Sequence, residues 1–452
     1  METVKRKDKL HTVAVSVFLG IAFLFMFLLK GYGGAGDSES YLTMGITREP
    51  VYPLLLWLLQ AFWGVDNFFI PLAFIQNVLA AVSCMLLTHY FGAKIFHSNI
   101  GKWIAAVILL MPYLMTPIFS RTHLVMTNKV MSEGITLPAY YLFVLFLLKM
   151  IYEEIKVKHM VISSIIVLFL VLTRGQLLPA IIILAIVLCV DMIRKKTYRK
   201  LWIPMILAIG IYCCSSLITG IYHYCNSGVF TATASSKPMI LANALYVSVP
   251  EDGLKIKNPD IKAIFDRTYA ELDKNRMLAK YADGSLIDKA RYHEACHDSI
   301  SFDYFELIKN DIFVDRMGSN YTEYMIVQDE IAGELTKELL THNYGRYLKN
   351  YIAVCSLGFV RSIAIDKSIL PYYALVMYVV GIMCIIVIWK KRGFTNSLFF
   401  FIMTYIMIIG FVMSTSLILQ CITRYMIYNL PFFYLAGLAV LNDFRKDKKD
   451  GI

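Results

Sequence analysis

Long apolar runs dominate the chain, and short charged or glycine- and proline-containing stretches interrupt them. A membrane-spanning helix needs about 20 predominantly apolar residues, roughly 17–25. Runs of that kind lie near 10–29, 67–91, 103–119, 134–151, 160–173, 176–192, 201–221, 369–389, 395–417 and 425–441, about ten in all. The pair flanking Thr173-Arg174-Gly175 is short and also suits a partly re-entrant arrangement. VYPLLLWLLQAFWG (51–64) is too short to span and carries its prolines early, which suits a helix lying in the interface. Between 222 and 368 the apolar runs stop, yet IKAIFDRTYAELDKNRMLAKYA and YMIVQDEIAGELTKELL space their apolar residues as amphipathic helices do. The pattern predicts an all-α polytopic membrane protein in three parts. Residues 1–221 form a membrane domain whose first loop is 30–64, residues 222–368 a small, mainly helical domain, and residues 369–452 further spans and a basic tail.

Composition agrees. Of 452 residues, 58% are hydrophobic and 17% charged, with a mean hydropathy of +0.59; soluble domains run roughly 45–50% apolar and ~25% charged. A soluble enzyme, a disordered chain and a disulfide scaffold are excluded. Most of the nine cysteines lie in apolar runs and no CxxC pair occurs, so no disulfide framework is expected. The net charge of +11 is distributed in short clusters between apolar runs, which suits membrane lipids and not nucleic acid. With the N-terminus inside, the inner segments carry 20 Lys and Arg and the short outer loops six. That asymmetry predicts both termini cytoplasmic and 222–368 outside. METVKRKDKL before the first run has no small-residue cleavage site, so a retained first helix is expected.

The first outer loop, GYGGAGDSESYLTMGITREPVYPLLL, carries the clearest candidate chemistry. Asp37 follows a glycine-rich turn at membrane-surface depth, and Tyr41, Arg48 and Tyr52 come after it. A carboxylate can take a proton from an attacking hydroxyl. A guanidinium can hold a phosphate through two parallel hydrogen bonds. The alternative is an ordinary loop with a helix cap at Asp37 or Ser38. Other outer-loop cations are Lys30, Arg121, Lys129, Arg174 and Arg424, and a charge set against apolar helices is costly without a partner or a task. Separately, His293-Glu294-Ala295-Cys296-His297 matches H-E-x-x-H, which puts two imidazoles on one helical face and suggests a zinc peptidase. Its polar flanks, its place in the polar domain and the lack of a third ligand at zincin spacing favour a solvated amphipathic helix.

D-S-x-x-Y followed by R-x-P-x-Y-P-L resembles the first outer loop of GT-C glycosyltransferases, in the branch of the protein O-mannosyltransferases and the lipid A aminoarabinose transferase. MSEGITLPAYYLFVLFLL at Glu133, VLTRGQLLPAIIIL at Arg174, and TRYMIYNLPFFYLAGLAVL at Arg424, Tyr425 and Pro431 are similar to further elements of that family. THNYGRYLKNYI is similar to an amphipathic element that many relatives carry. The resemblance implies an inverting transferase. It would move a sugar from a polyprenyl-phosphate donor to a glycan, lipid or protein acceptor on the outer face of the cytoplasmic membrane. Asp37 would then be the general base, with Arg48, Arg174 and Arg424 at the donor phosphate. Tyr41, Tyr52, Glu133 and Tyr425 would be substrate-site candidates. A divalent cation stays open, and no other cofactor is implied. The rival readings are a flippase for lipid-linked sugars, disfavoured because the spans hold few ionisable residues, and a polysaccharide polymerase or ligase.

Overall fold

The computed structural model describes residues 2–29, 31–34, 36–119, 125–234, 236–312 and 320–450. Among these the chain is almost entirely helical. The membrane-domain helices are α1 (Glu2–Leu28), the short α2 (Ser38–Leu42), α3 (Val51–Trp63), α4 (Phe69–Tyr90), α5 (Asn99–Phe119), α6 (Glu133–Tyr152), α7 (Val157–Val171), α8 (Pro179–Arg194) and α9 (Trp202–Ser227). The polar domain adds α10 (Ser236–Tyr246), α11 (Pro250–Gly253), α12 (Pro259–Lys274), α13 (Leu286–Asp298), α14 (Phe305–Ile312) and the 43-residue α15 (Tyr321–Ile363). Then come α16 (Leu370–Arg392), α17 (Asn396–Ile418), α18 (Thr423–Met426) and α19 (Leu430–Asp450). The described strands are two-residue pieces, β1 (Gly33–Gly34) and β2 (Lys129–Val130), paired in parallel.

Among the described residues, eight helices are long and apolar enough to cross a membrane. The protein is therefore an all-α polytopic membrane protein. Of the other two expected spans, 160–173 falls on a shorter apolar helix, Val157–Val171, and 103–119 falls on α5, whose side chains are described only as far as Met115. The exposed side chains of the spans are those the pattern assigns to lipid: Ile21, Leu24 and Phe25 on α1, and Leu375, Val379 and Ile386 on α16. Helix α6 is the opposite case. It is apolar all round and buried on nearly every face, as a helix at the centre of a bundle should be. Helix α3 exposes Leu54, Trp57, Leu58, Phe62 and Trp63 and buries Tyr52, Leu56 and Leu59, which makes it two-faced.

The polar domain has its own core. Leu241, Leu245, Phe265, Leu272, Ile300 and Phe305 pack against Ile331, Leu335 and Leu339 of α15. The same helix continues into the membrane bundle, where Val354, Val360 and Ile363 join the large core. The amphipathic element THNYGRYLKNYI is the middle of this one continuous helix. Two cores thus share a single rigid rod, with the candidate site beside the join.

Candidate functional site

Four separate segments meet around Asp37, and specific bonds bring each one there. The chain is pinned ahead of Asp37 by the β1–β2 pair and just after it by Ser38 Oγ, which donates to the Val130 carbonyl at 2.9 Å. The Arg48 loop is stitched to the Arg174 turn where Val51 N–H donates to the Leu172 carbonyl. Glu133 opens α6, and that end is tied to the segment after Arg424. Thr136 and Tyr428 share a hydroxyl bond at 2.7 Å, and Tyr140 donates to Asn429 at 2.6 Å. Gly134 is required by close approach: a Cβ there would fall 2.0 Å from Gln76 Oε1. Gln76 in turn donates to the carbonyls of Thr127 and Lys129, fixing the strand that holds the Asp37 loop.

Asp37 occupies the N-cap position of α2, but its carboxylate makes no capping bond. A capping aspartate would accept from the helix's first free N–H groups. Here Oδ1 accepts from Arg48 at 3.2 Å and Oδ2 from Arg424 at 2.8 Å. The helix-cap alternative therefore does not account for this side chain. Arg48 also donates to Ser40 at 2.7 Å and lies over the Tyr41 ring, 4.4 Å from its centroid. Arg174 pairs with Glu133 at 2.6 Å, and Arg424 Nε stands 3.6 Å from the same carboxylate. The guanidinium carbons of Arg174 and Arg424 each lie 5.0 Å from the Tyr425 ring centroid, within cation–π range.

Seven of the eight candidates thus form one connected cluster: Asp37, Tyr41, Arg48, Glu133, Arg174, Arg424 and Tyr425. Tyr52 is the eighth. It is fully buried, meets the Tyr41 ring edge-on at 5.0 Å and donates to Gln76, so it supports Tyr41 from behind. Lys129 is buried close by. Lys30 and Arg121 lie outside the described residues.

The electrostatics follow from this crowding. Burial pushes the Asp37 carboxyl upward, but the Arg424 and Arg48 charges outweigh it and hold the group below the usual carboxylate range. For Arg174 burial opposes the charge, and the Glu133 carboxylate overrides that and keeps the guanidinium protonated. Burial pulls the Lys129 ammonium down. Asp37, Arg48 and Arg424 keep a quarter to a third of their side-chain surface open, whereas Glu133 is sealed. An accessible carboxylate and two accessible guanidiniums therefore rest on a buried ion pair.

Sequence reasoning missed Ser132, whose hydroxyl is shared by Tyr41 at 3.0 Å and Arg174 at 3.2 Å, and Gln176, which accepts from Arg174. It also missed Gln76 and Gly134. A polar side chain inside an otherwise apolar span was the available signal for Gln76.

The HEACH segment needs correction. It is not a solvated face: His293 and His297 are fully buried. His293 Nε2 lies 2.8 Å from Asn243 Oδ1, and burial, reinforced by His297, pulls its pKa well below the ordinary value. His297 sits against the Met239 carbonyl and Asp298. Glu294, which a zincin would use as its base, pairs with Arg361 at 2.6 Å. Among the described residues no three His, Cys, Asp or Glu side chains cluster to hold a metal ion. The helix turns its histidines inward to pack and its glutamate aside to an arginine.

Compared with known family models, curated proteins and solved structures, the chain matches none of them.

Proposed function

We propose that the protein is an inverting glycosyltransferase of the GT-C type. It would move a sugar from a polyprenyl-phosphate donor to a glycan, glycolipid or protein acceptor at the outer face of the cytoplasmic membrane. The observation that carries this reading is the Asp37 carboxylate held between Arg48 and Arg424 in a partly open cluster. One end of it supplies a base and the other two cations of the kind a phosphate needs.

In this reading the donor phosphate takes over the guanidiniums of Arg48 and Arg424, while Arg174 is kept in place by Glu133. Losing those partners raises the affinity of Asp37 for a proton, so the base is freed when the donor arrives. Asp37 accepts the proton of an acceptor hydroxyl, whose oxygen attacks the sugar's anomeric carbon. The bond from that carbon to the phosphate oxygen breaks with inversion, and polyprenyl phosphate leaves with the electron pair. The arginines oppose the charge growing on that phosphate.

A second feature supports a lipid-borne donor. An almost wholly apolar groove of about 610 Å³ runs between α5, α16, α17 and α19, lined by residues such as Met111, Ile365, Leu370, Met377, Phe433 and Leu441. Its wall begins at Leu430, five residues beyond Tyr425. A flippase would need ionisable groups along a path through the spans, whereas this cluster gathers at one end of them.

The test uses purified protein in nanodiscs with a panel of synthetic polyprenyl-phosphate sugars and a cell-envelope extract that supplies the acceptor hydroxyl, reading release of polyprenyl phosphate. Release from at least one donor, lost in Asp37→Asn, is expected; no release from any donor rejects the reading. Sidedness is tested by Asp283→Cys in a cysteine-free background. An impermeant reagent should label it in intact cells, and labelling only after permeabilisation would put the polar domain inside.

A further inference from the structure

His223, near the end of α9, is buried, and both of its ring nitrogens face backbone carbonyls. Nδ1 lies 2.9 Å from the Thr231 oxygen and Nε2 lies 3.2 Å from the Arg48 oxygen. A carbonyl can only accept, and a neutral imidazole carries one N–H. The uncharged ring therefore satisfies one contact and sets lone pair against lone pair at the other. The imidazolium donates to both. A countercharge stands beside it. Glu49 follows Arg48 directly, and its carboxylate accepts from Thr219 at 2.9 Å and from Thr233 at 2.8 Å. Thr219 is one turn before His223 on α9, and Thr233 is two residues beyond Thr231, so the same two elements grip residues 48 and 49 together. Among the described residues Glu49 forms no ion pair. Burial pushes its carboxyl upward, and the two hydroxyls and His223 offset this only in part.

The grip bears on Arg48, whose carbonyl meets His223 while its guanidinium bonds Asp37 and Ser40. Ala234 N–H donates to the Ile46 carbonyl at 3.0 Å, so the segment leading from α9 into the polar domain also closes on this loop. Other ionisable groups at this corner are few. Tyr222 on α9 has its ring centroid 5.3 Å from the imidazole. Helices α7 and α8, packed along α9, meet here in the turn of Arg174, whose charge is taken by Glu133. Helix α15 packs Met325 on Ile46 and Ala234, and its Asp329 pairs with Lys237. We infer that His223 is a positioning residue that works as an imidazolium: it clasps the Arg48 carbonyl to α9 and so aims the Arg48 guanidinium into the open cluster. Without its second proton the ring gives up one carbonyl, and Arg48 loses its fixed place. The proton thus favours the assembled cluster, whose affinity for an anion is held at lower pH and lost as pH rises. The aim at a donor phosphate rests on the transferase reading; the proton on His223 does not.

The test is ¹⁵N-histidine solid-state NMR of the full chain in nanodiscs, beside binding of synthetic polyprenyl-phosphate sugars to the same samples. Both are read from about pH 5 to 8, the range in which histidines change charge. His223→Gln identifies the His223 signals among the nine histidines, and size-exclusion and melting profiles check that each variant folds. At the acid end both ring nitrogens of His223 should carry protons. Toward pH 8 the second proton should be lost together with roughly tenfold of donor affinity, the share of a charged hydrogen bond. His223→Gln keeps one donor and no titrating group, so its affinity should be flat with pH at the weaker level. Glu49→Gln removes the countercharge and should move the wild-type step to lower pH, which a merely structural contact would not do. A His223 ring that is neutral across the range, or donor affinity that does not follow its proton, overturns the inference. If no donor binds at any pH, the phosphate reading of Arg48 falls, and an imidazolium whose proton is lost earlier in Glu49→Gln still sustains the clasp.

Discussion

Asp37 and Asp366 are each held by two arginines, in very different surroundings. Asp37 takes Arg48 and Arg424, and its side chain remains 35% exposed. Asp366 takes Arg361 at 3.0 Å and Arg291 at 3.2 Å and is 15% exposed. Arg361 spends its other bonds on Glu294 and the Cys421 carbonyl, and Arg291 also bonds the backbone of Asp366. The second cluster covers its carboxylate more fully, with Arg361 8% exposed although Arg291 reaches the surface, and it joins α13 of the polar domain to the end of α15 and the link after α17. The first has the same chemistry but leaves its carboxylate and two of its cations within reach of a ligand. What separates a fastening from a candidate site here is the exposure of the carboxylate itself, because the residue types are the same.

The contrast is sharpest where each cluster is broken. Arg361→Ala leaves the half-buried Glu294 without its cation and Asp366 with Arg291 alone; removing one partner of a fully buried pair typically costs about 3–5 kcal/mol, and partial exposure lowers that figure here. A large fall in melting temperature is expected, with transfer lost only because folded protein is lost. Asp37→Asn should do the reverse, with melting nearly unchanged and turnover lower by roughly a hundredfold or more, the usual share of a general base. A stable Arg361→Ala, or an unstable Asp37→Asn, would erase the distinction.

Acid tests the Asp366 cluster in its own right. Burial pushes the Asp366 carboxyl upward, but the bonds from Arg361 outweigh it and hold the group below the usual carboxylate range. A folded-state pKa that is lowered adds stability above the unfolded value, and that stability is lost as pH falls through the folded one. Melting temperature should therefore be flat from about pH 7 to 5 and drop below about pH 4, near the ordinary aspartate value. Asp366→Asn should lower stability near neutral pH and flatten the acid drop. An acid drop unchanged in that variant would place the linkage elsewhere.

The helical architecture was largely legible because the bilayer forces backbone polar groups into helices and makes apolar length their mark. The count was less so: α7 reads as a full span, yet it is a helix of 15 residues and falls short of the eight. The candidate cluster was legible through charges that a membrane protein does not leave at span ends without reason, at Arg174, Arg424 and Glu133. Its wiring was not. Nothing in the spacing of Asp37 and Arg424, 387 residues apart, says that they bond. The HEACH segment was read wrongly because helical spacing tells which residues share a face and not what covers it; α10 covers this one.

A smaller effect is expected from charge-conserving change. Arg48→Lys keeps the cation but loses the planar fork, which grips Asp37 with one nitrogen and Ser40 with another. Donor affinity should fall by roughly tenfold while melting stays within a few degrees, since a charged hydrogen bond contributes about 1.5–3 kcal/mol. Unchanged affinity in both Arg48→Lys and Arg424→Lys would remove the phosphate role from the open cluster.

The smallest effect belongs to Glu39, and it isolates what position contributes. Glu39 is as acidic as Asp37, two residues away and on the same short helix. The turn of α2 carries its side chain into solvent, where it is exposed, while Asp37 faces the arginines. An exposed carboxylate that no described cation fixes lacks the fixed geometry that general-base work requires. Glu39→Gln should therefore keep turnover within about twofold, since surface changes away from such features are close to neutral. The pair is read best in one assay, with donor release measured for both variants at matched protein levels. A loss in Glu39→Gln comparable to that in Asp37→Asn would mean that the loop acts through its overall charge. The bonds from Arg48 and Arg424 would then be a second fastening like the one at Asp366.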